Sequence, residues 1–386
     1  MGCRWPLTAF VLALVCLVFT GCDKLPFGQK AVTDIDDEFA DFDDPPAETG
    51  AEGTDQFDAL RGEATATAQD LALKLEVGQR FPLVKTVEQR LTQQLPTGAI
   101  VGHSRLELTM SLLVEEQRGP ARRLGVRYHR VRYRQDLGGQ VVEFDSAAAN
   151  GPVPTAAAAY AGLRDNGFSF WLGADNRVDE LIGFPEFLQR CVSHLAAEQR
   201  PVVLAQLQAM GTADGLANFV DDSIGLLPNP MDPQIAGQTL SVGSAWQHGT
   251  GASSTTGDTF RCLLKDLSPQ SAEISLIGTI PPTTYLDPVH QVRLTVRGGQ
   301  MTGTCLVDRA TGMPTRSRVE RTLEMLAQLP DGTEIPQRKD VLTTIVAYLD
   351  QSAASPATAY AAPAAAIQPA SHQGYQPAPA RPAGYP

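Results

Sequence analysis

The stretch RLELTMSLLVEEQRGPARRLGVRYHRVRYRQDLGGQVVEF, residues 105–144, decides the fold. It contains three runs of residues, Arg105–Val114, Arg122–Arg134 and Val141–Phe144, separated by turns at Gly119-Pro120 and Gly138-Gly139. Apolar and polar residues alternate within the runs, which is typical of antiparallel strands that bury one face. The sequence therefore predicts a β-meander here.

The second of these runs changes phase in its middle. Leu124, Val126 and Tyr128 follow one alternation, whereas Val131 and Tyr133 follow the other. One extra residue in a strand restores the burial pattern on both sides of it. This change of phase predicts a β-bulge near His129.

A short pattern occurs twice in the chain. LEVGQRF (75–81) and LSVGSAW (240–246) share the form Leu-x-Val-Gly-x-x-aromatic, and a GGQ tripeptide follows each, at Gly138 and at Gly298. Two matches in the same order suggest a duplicated β unit. The second unit repeats the strand and turn pattern, with Gly298-Gly299 interpreted as a turn.

Residues 185–224 lose this alternation and favour helices, with Pro201 suited to a first helical turn. Strands, then helices, then strands predict an α+β fold with antiparallel sheets. We expect β-rich units at 59–183 and 229–350, with a helical insertion at 184–228 between them.

The N-terminus has the features of an export signal. Arg4 precedes an apolar run from Leu7 to Phe19, which as a helix of about 20 Å is shorter than the roughly 30 Å hydrocarbon core of a bilayer. The run closes on VFTGC (18–22), which resembles the lipobox of bacterial lipoproteins. The resemblance implies that residues 1–21 are a signal peptide, that Cys22 carries the lipid, and that the protein is exported and anchored to a bacterial membrane.

Both flanks of the folded region are biased in composition. Residues 23–58 carry twelve carboxylates against two lysines, a large share of the formal net charge of −12, and predict a solvated, disordered tether. Residues 351–386 are rich in Ala and Pro and predict a disordered tail. The whole arrangement resembles the uncharacterised lipoproteins of bacterial envelopes, which implies a location and not an activity.

The chain contains none of the common catalytic or nucleotide-binding motifs, such as a Gly-x-Ser-x-Gly elbow or a phosphate-binding loop. Its six histidines are scattered without the spacing of metal ligands. We therefore predict no catalytic residues, no metal, no cofactor and no enzymatic activity.

Two groups of residues are candidate sites. Cys262 and Cys305 fall within predicted strands of one unit, so they could form a disulfide in an oxidising compartment, and buried free thiols are the alternative. Six arginines fall within thirteen residues: Arg122, Arg123, Arg127, Arg130, Arg132 and Arg134. They could bind an anionic surface or be covered by the acidic tether, or they could pair with carboxylates on a neighbouring strand.

These features predict a non-catalytic, membrane-anchored envelope lipoprotein, with a binding or adaptor module displayed on an acidic stalk. The alternative is a carrier or sensor of a lipid or another hydrophobic ligand, held in a cavity of a curved β-sheet. The expected partners are the membrane, through the lipid, and an envelope protein or lipid. Nucleic acid is not expected, because the chain is exported and acidic.

Overall fold

The computed structural model describes residues 65–148, 153–210, 218–248, 259–287 and 292–348. Antiparallel strands dominate this part of the chain. Their bounds are β1 Ala66–Thr67, β2 Arg80–Leu95, β3 Gly98–Arg118, β4 Ala121–Leu137, β5 Gln140–Asp145, β6 Gly167–Leu172, β7 Val178–Ile182, β8 Thr239–Leu240, β9 Ala245–His248, β10 Thr259–Leu267, β11 Ser271–Ile280, β12 Thr283–Asp287, β13 Val292–Asp308, β14 Pro314–Gln328 and β15 Glu334–Ala347.

Thirteen of these strands form one sheet. Its order is β7-β6-β4-β3-β2-β15-β14-β13-β11-β10-β9, with β5 paired to β4 and β12 paired to β13. Strand β15, near the end of the folded region, lies directly beside β2, with Val341 opposite Gln89. The N-terminal and C-terminal runs of strands are therefore continuous with each other in the sheet.

The helices are short and lie on one face of this sheet. They are α1 Ala158–Ala161, α2 Phe184–Val192, α3 Arg200–Met210 and α4 Asn218–Asp221, with 3₁₀ turns at Thr155–Ala157 and Ile224–Leu226.

The predicted α+β fold with a central helical insertion is therefore wrong, and the fold is mainly antiparallel β. The prediction failed because the helices cover the sheet without separating two β units, which pair through β15 and β2. No described helix is long and apolar enough to cross a membrane.

The two copies of the Leu-x-Val-Gly pattern share one local structure. Gly78 and Gly243 both adopt positive φ angles, 91° and 94°. The Gly78 N–H donates to the carbonyl of Val114, and the Gly243 N–H donates to the carbonyl of Leu264, both at 2.8 Å. The leucine that opens each copy is 4% exposed, as is the aromatic residue that closes it. Both copies thus bend the chain in the same way before a strand of the sheet. The proposed domain boundaries remain a prediction.

Apolar and polar side chains alternate along the strands, and the apolar ones form the core on the face of the sheet that the helices cover, which we call the inner face. Tyr128 of β4 stacks on Phe187 of α2 with ring centroids 6.1 Å apart, and Phe170 of β6 meets Phe219 of α4 at 6.0 Å. A second, smaller cluster lies farther along the strands and includes Leu91. Burying large side chains of this kind stabilises a fold by about 1.5 to 3 kcal/mol each.

The bulge predicted near His129 is present. Met110 of β3 pairs with Tyr128, and Thr109 pairs with Arg130, so His129 is the extra residue. It lies where β4 changes partner, from β6 along 122–127 to β5 along 132–137. The bulge lets Tyr128 and Val131 both remain buried, at 1% and 0% exposure.

Candidate functional site

The six arginines of β4 are mostly neutralised by carboxylates. Four of them form ion pairs, and their partners are Glu115 and Glu116 for Arg123, Asp145 for Arg130, Glu107 and Asp145 for Arg132, and Glu143 for Arg134. The guanidinium of Arg130 holds the pKa of the Asp145 carboxyl well below its usual range. Binding of an anionic surface by this strand stays a prediction. The ion pairs leave less positive charge available for it than six arginines would supply.

The remaining two arginines of the strand differ from each other. Arg122 donates to the carbonyls of Leu73, at 2.7 Å, and Pro120, at 3.0 Å, and its burial lowers its pKa. Its role is to fasten the segment before β2 to the sheet. Arg127 is exposed and has no carboxylate partner within the described part of the chain.

The predicted disulfide does not form in this structure, where Cys262 and Cys305 are buried free thiols. Strand β11 lies between them, because Cys262 pairs with Leu276 and Cys305 pairs with Ile274. Two strand spacings amount to about 9.5 Å, beyond the roughly 7 Å that a disulfide spans between Cα atoms. Burial raises the pKa of Cys262 to about 12 and that of Cys305 further. Cys22 lies outside the described residues.

A buried ion pair joins the helical cover to the sheet. Asp222, just after α4, accepts two hydrogen bonds from the guanidinium of Arg321 on β14, and both side chains are almost fully buried. Ser317, four residues earlier on β14, donates its hydroxyl to the carbonyl of Asp222. A bidentate pair fixes both the position and the orientation of its partners.

Two glutamines face each other inside the sheet. Gln93 of β2 and Gln337 of β15 are directly opposite in register and only 1% and 3% exposed. The oxygen and the nitrogen of both side-chain amides lack hydrogen-bond partners among the described residues. Each unsatisfied buried group costs about 1 to 3 kcal/mol, so this pair is a weak point of the fold.

The outer face of the sheet has a second bulge, in β13. Val296 pairs with Met325 of β14 and Gly298 pairs with Glu324, so Arg297 is the extra residue. Gly298 adopts a φ of +141°, and a Cβ on Gly299 would lie 2.4 Å from the carbonyl oxygen of Thr322. The sequence Gly298-Gly299 is therefore not the predicted turn, because β13 continues through it to Asp308. Its glycines allow a bulge and a close approach of two backbones.

This bulge opens a groove on the outer face, which we call the arginine groove. One part has a volume of about 640 Å³, and an overlapping part of about 470 Å³ includes both glycines. The two parts are lined by Arg90, Thr92, Gln94, Arg297, Gly298, Gly299, Gln300, Thr322, Glu324, Met325, Pro336, Gln337, Arg338 and Asp340. Three guanidiniums thus face two carboxylates.

The charges in the arginine groove are unevenly paired. Arg338 contacts Glu324 at 3.9 Å and Asp340 at 3.1 Å, so it engages both carboxylates. Asp340 also accepts a hydrogen bond of 3.0 Å from the Thr322 hydroxyl. Arg90 and Arg297 are exposed and have no ion-pair partner among the described residues. The groove therefore has two guanidiniums available to an incoming anion.

The groove continues across the sheet into regions of mixed charge. A part of about 580 Å³ shares Arg90, Arg338 and Asp340 with it and reaches Arg134, and a further part of about 440 Å³ borders β5. Carboxylates there already pair with arginines, as in the 2.9 Å contact of Arg105 with Glu88. Arg90 lines both this part and the arginine groove and has no ion-pair partner among the described residues.

His129 at the first bulge contacts Ser111, whose Oγ lies 2.9 Å from the histidine Nε2. Desolvation, then the charges of Arg127 and Arg80, lower the pKa of His129. A hydroxyl beside a neutral imidazole is one part of a nucleophilic site. Within the described chain no carboxylate accepts a hydrogen bond from this ring to orient it, and we assign it no catalytic role.

The described residues contain no group of three or more His, Cys, Asp or Glu side chains placed to hold a metal ion. The arginine groove could not be predicted from the sequence, because Arg90, Arg297 and Arg338 are far apart in the chain. One signal for it exists: an arginine followed by two glycines inside an alternating strand is typical of a bulge.

A family model matches residues 121–314, and the family is DUF6263, described as a family of unknown function. No curated protein matches the chain.

Solved structures resemble it only weakly. The COG4313 outer membrane channel from Pseudomonas putida F1 is 10% identical, with 72% of this chain and 97% of that chain covered and a TM-score of 0.18. A putative outer membrane lipoprotein-sorting protein domain from Vibrio parahaemolyticus is 7% identical, with 67% and 83% covered and a TM-score of 0.12. Similarity at this level supports no functional argument.

Proposed function

Because the chain belongs to DUF6263, a family of unknown function, we propose a function from its own geometry: it is a non-catalytic binding module that holds an extended acidic segment of an envelope partner in the arginine groove. The observation that carries this proposal is two exposed guanidiniums with no ion-pair partner among the described residues, Arg297 at the glycine bulge of β13 and Arg90 on β2, in one groove of about 640 Å³. Guanidinium groups bind carboxylates in a planar, bidentate geometry.

The shape of the groove favours an extended ligand. It runs across several strands, from β13 over β14 and β15 to β2, and continues toward β4. Guanidiniums of Arg297, Arg338 and Arg90 follow one another along its length, so an extended acidic chain meets them in turn. A small anion would not reach both Arg297 on β13 and Arg90 on β2, because three strand spacings, about 14 Å, separate these strands.

Packing on the inner face supports a binding module over a carrier. The side chains beneath the helices are tightly buried, including Phe187 at 0% exposure and Leu83 at 1%. A carrier of hydrophobic ligands needs an apolar cavity of several hundred Å³. The grooves described above are instead lined by charged side chains.

Within this proposal the module is exported and held at a bacterial membrane through a lipid on Cys22. Residues 23–58 then place the groove at some distance from the membrane surface. Thirty-six flexible residues span about 30 to 36 Å on average. This distance suits a partner in the envelope.

The test uses fluorescent poly-L-glutamate as the probe and residues 22–386 with Cys22→Ala, which we call the full Cys22→Ala chain and which carries neither the apolar run nor the lipid. We expect salt-sensitive binding that Arg90→Ala/Arg297→Ala weakens by tenfold or more. Arg316→Ala is the matched control, because Arg316 is exposed on the same sheet and outside the grooves. Binding that falls equally in both variants, or that no variant changes, would reject the groove as the binding site.

A further inference from the structure

We propose that the chain's own acidic segment, residues 34–44, occupies the arginine groove and competes with the external partner. This inference rests on the proposed function and adds a regulatory contact to the same site. The sequence of the segment is DIDDEFADFDD, which carries seven carboxylates and no basic residue in eleven positions.

Charge complementarity favours this occupant. Glu324 and Asp340 are both engaged by Arg338, so Arg90 and Arg297 remain to receive carboxylates. The acidic residues of the segment lie close enough in sequence for two to meet the two guanidiniums at once. Six arginines of β4, which the sequence suggests as the docking place, fit less well because four are already paired.

The groove also offers room for the apolar residues of the segment. Phe39 and Phe42 interrupt the acidic run. Pro336 contributes an exposed apolar side chain to the groove lining, and the absence of side chains at Gly298 and Gly299 widens it. Aromatic side chains beside an ion pair exclude water and strengthen it.

The linker between the acidic segment and Thr65 is long compared with the part of β2 that leads to the groove. The described residues begin at Thr65, and the following segment is fixed near the start of β2, where Gly78 donates to the carbonyl of Val114. Arg90 lies ten residues farther along β2 than Arg80, or about 33 Å. The twenty residues 45–64 reach up to about 70 Å when extended and about 25 Å on average when flexible.

Tethering makes a weak contact effective. A segment joined to its site by a linker of this length has an effective concentration of roughly millimolar. For a segment with a dissociation constant of about 0.1 mM, the population of chains with an occupied groove would be about ten times the population with a vacant groove. An external acidic ligand would bind about tenfold more weakly than it does to the vacant groove.

The experiment measures poly-L-glutamate binding to the full Cys22→Ala chain and to a variant in which residues 34–44 are neutralised. The changes are Asp34→Asn, Asp36→Asn, Asp37→Asn, Glu38→Gln, Asp41→Asn, Asp43→Asn and Asp44→Asn. We expect affinity to rise about tenfold in this variant. The control neutralises the four carboxylates of residues 45–58, namely Glu48, Glu52, Asp55 and Asp58, and is expected to change affinity less than twofold.

A second measurement locates the segment directly. A photo-crosslinking p-benzoylphenylalanine replaces Phe39 in the full chain, and the crosslinked peptides are identified by mass spectrometry. We expect crosslinks to β13–β15 and β2 around the groove, lost in Arg90→Ala/Arg297→Ala and kept in Arg316→Ala. The same probe at Phe57, outside the acidic run, should not give this pattern.

The outcomes separate the two proposals. Groove-dependent binding of poly-L-glutamate that neutralisation leaves unchanged, together with scattered crosslinks, would overturn the contact with residues 34–44 and leave the binding function standing. If even the neutralised chain fails to bind poly-L-glutamate through Arg90 and Arg297, the proposed function itself is rejected.

Discussion

Replacement of Arg321 by Met should destabilise the fold strongly, because it removes the guanidinium that donates two hydrogen bonds to the buried carboxylate of Asp222. Both side chains are almost fully buried, and two hydrogen bonds join them. Removal of one member of a buried ion pair costs about 3 to 5 kcal/mol. For a domain of this size that corresponds to a fall in Tm of about 5 to 8 °C.

Urea unfolding followed by tryptophan fluorescence measures this change, because Trp171 and Trp246 are both buried. The double variant Arg321→Met/Asp222→Leu is the control, since it removes both charges and should recover most of the lost free energy of unfolding. A loss below about 1 kcal/mol in Arg321→Met would refute the reasoning. A double variant less stable than the single one would also refute it.

Three further predictions follow from single sites. Gly299→Ala should cost at least about 2 kcal/mol in urea unfolding and weaken poly-L-glutamate binding, because its Cβ would lie 2.4 Å from the carbonyl of Thr322; an unchanged stability would mean that the bulge yields easily. Gln93→Leu and Gln337→Leu should each raise the free energy of unfolding by about 1 kcal/mol, since they remove unsatisfied amides; a loss of stability would indicate that water satisfies the pair. Folding lowers the pKa of His129 below its ordinary value of about 6.5. Between the folded and unfolded pKa values the unfolded chain therefore binds more protons than the folded chain. The free energy of unfolding should fall as the pH drops from about 6.5 through the folded pKa. His129→Gln should reduce this slope in unfolding curves measured between pH 5 and 7.5, and an unchanged slope would place the titration elsewhere.

The strands around β4 could be predicted from sequence because a half-buried strand records its burial in every second residue. The bulge at His129 could be predicted for the same reason, since one extra residue reverses the phase of alternation. The repeat at Gly78 and Gly243 was visible because a positive φ favours glycine.

The fold class failed because alternation reports burial and not the partner of a strand. Nothing in the local pattern of β15 indicates that it pairs with β2, some 250 residues earlier in the chain. Short helices between two runs of strands then suggested an insertion between sheets, whereas they cover one continuous sheet. The same limit explains the disulfide, because two cysteines on strands of one unit can still be separated by a third strand.

The candidate site was missed for a related reason. The pair Gly298-Gly299 supports a turn as readily as a bulge, and only the pairing of β13 with β14 and β11 distinguishes them. Six arginines close in sequence drew attention to β4, where register places carboxylates opposite them. Arg90 and Arg297, far apart in sequence, are the ones that the sheet leaves exposed at the groove.

The most direct test of the account is the affinity of poly-L-glutamate for the full Cys22→Ala chain, with Arg90→Ala/Arg297→Ala and Arg316→Ala measured beside it. The account predicts salt-sensitive binding that weakens tenfold or more in the double variant and stays within twofold in the control. Equal binding by all three proteins would contradict the claim that the arginine groove is the binding site.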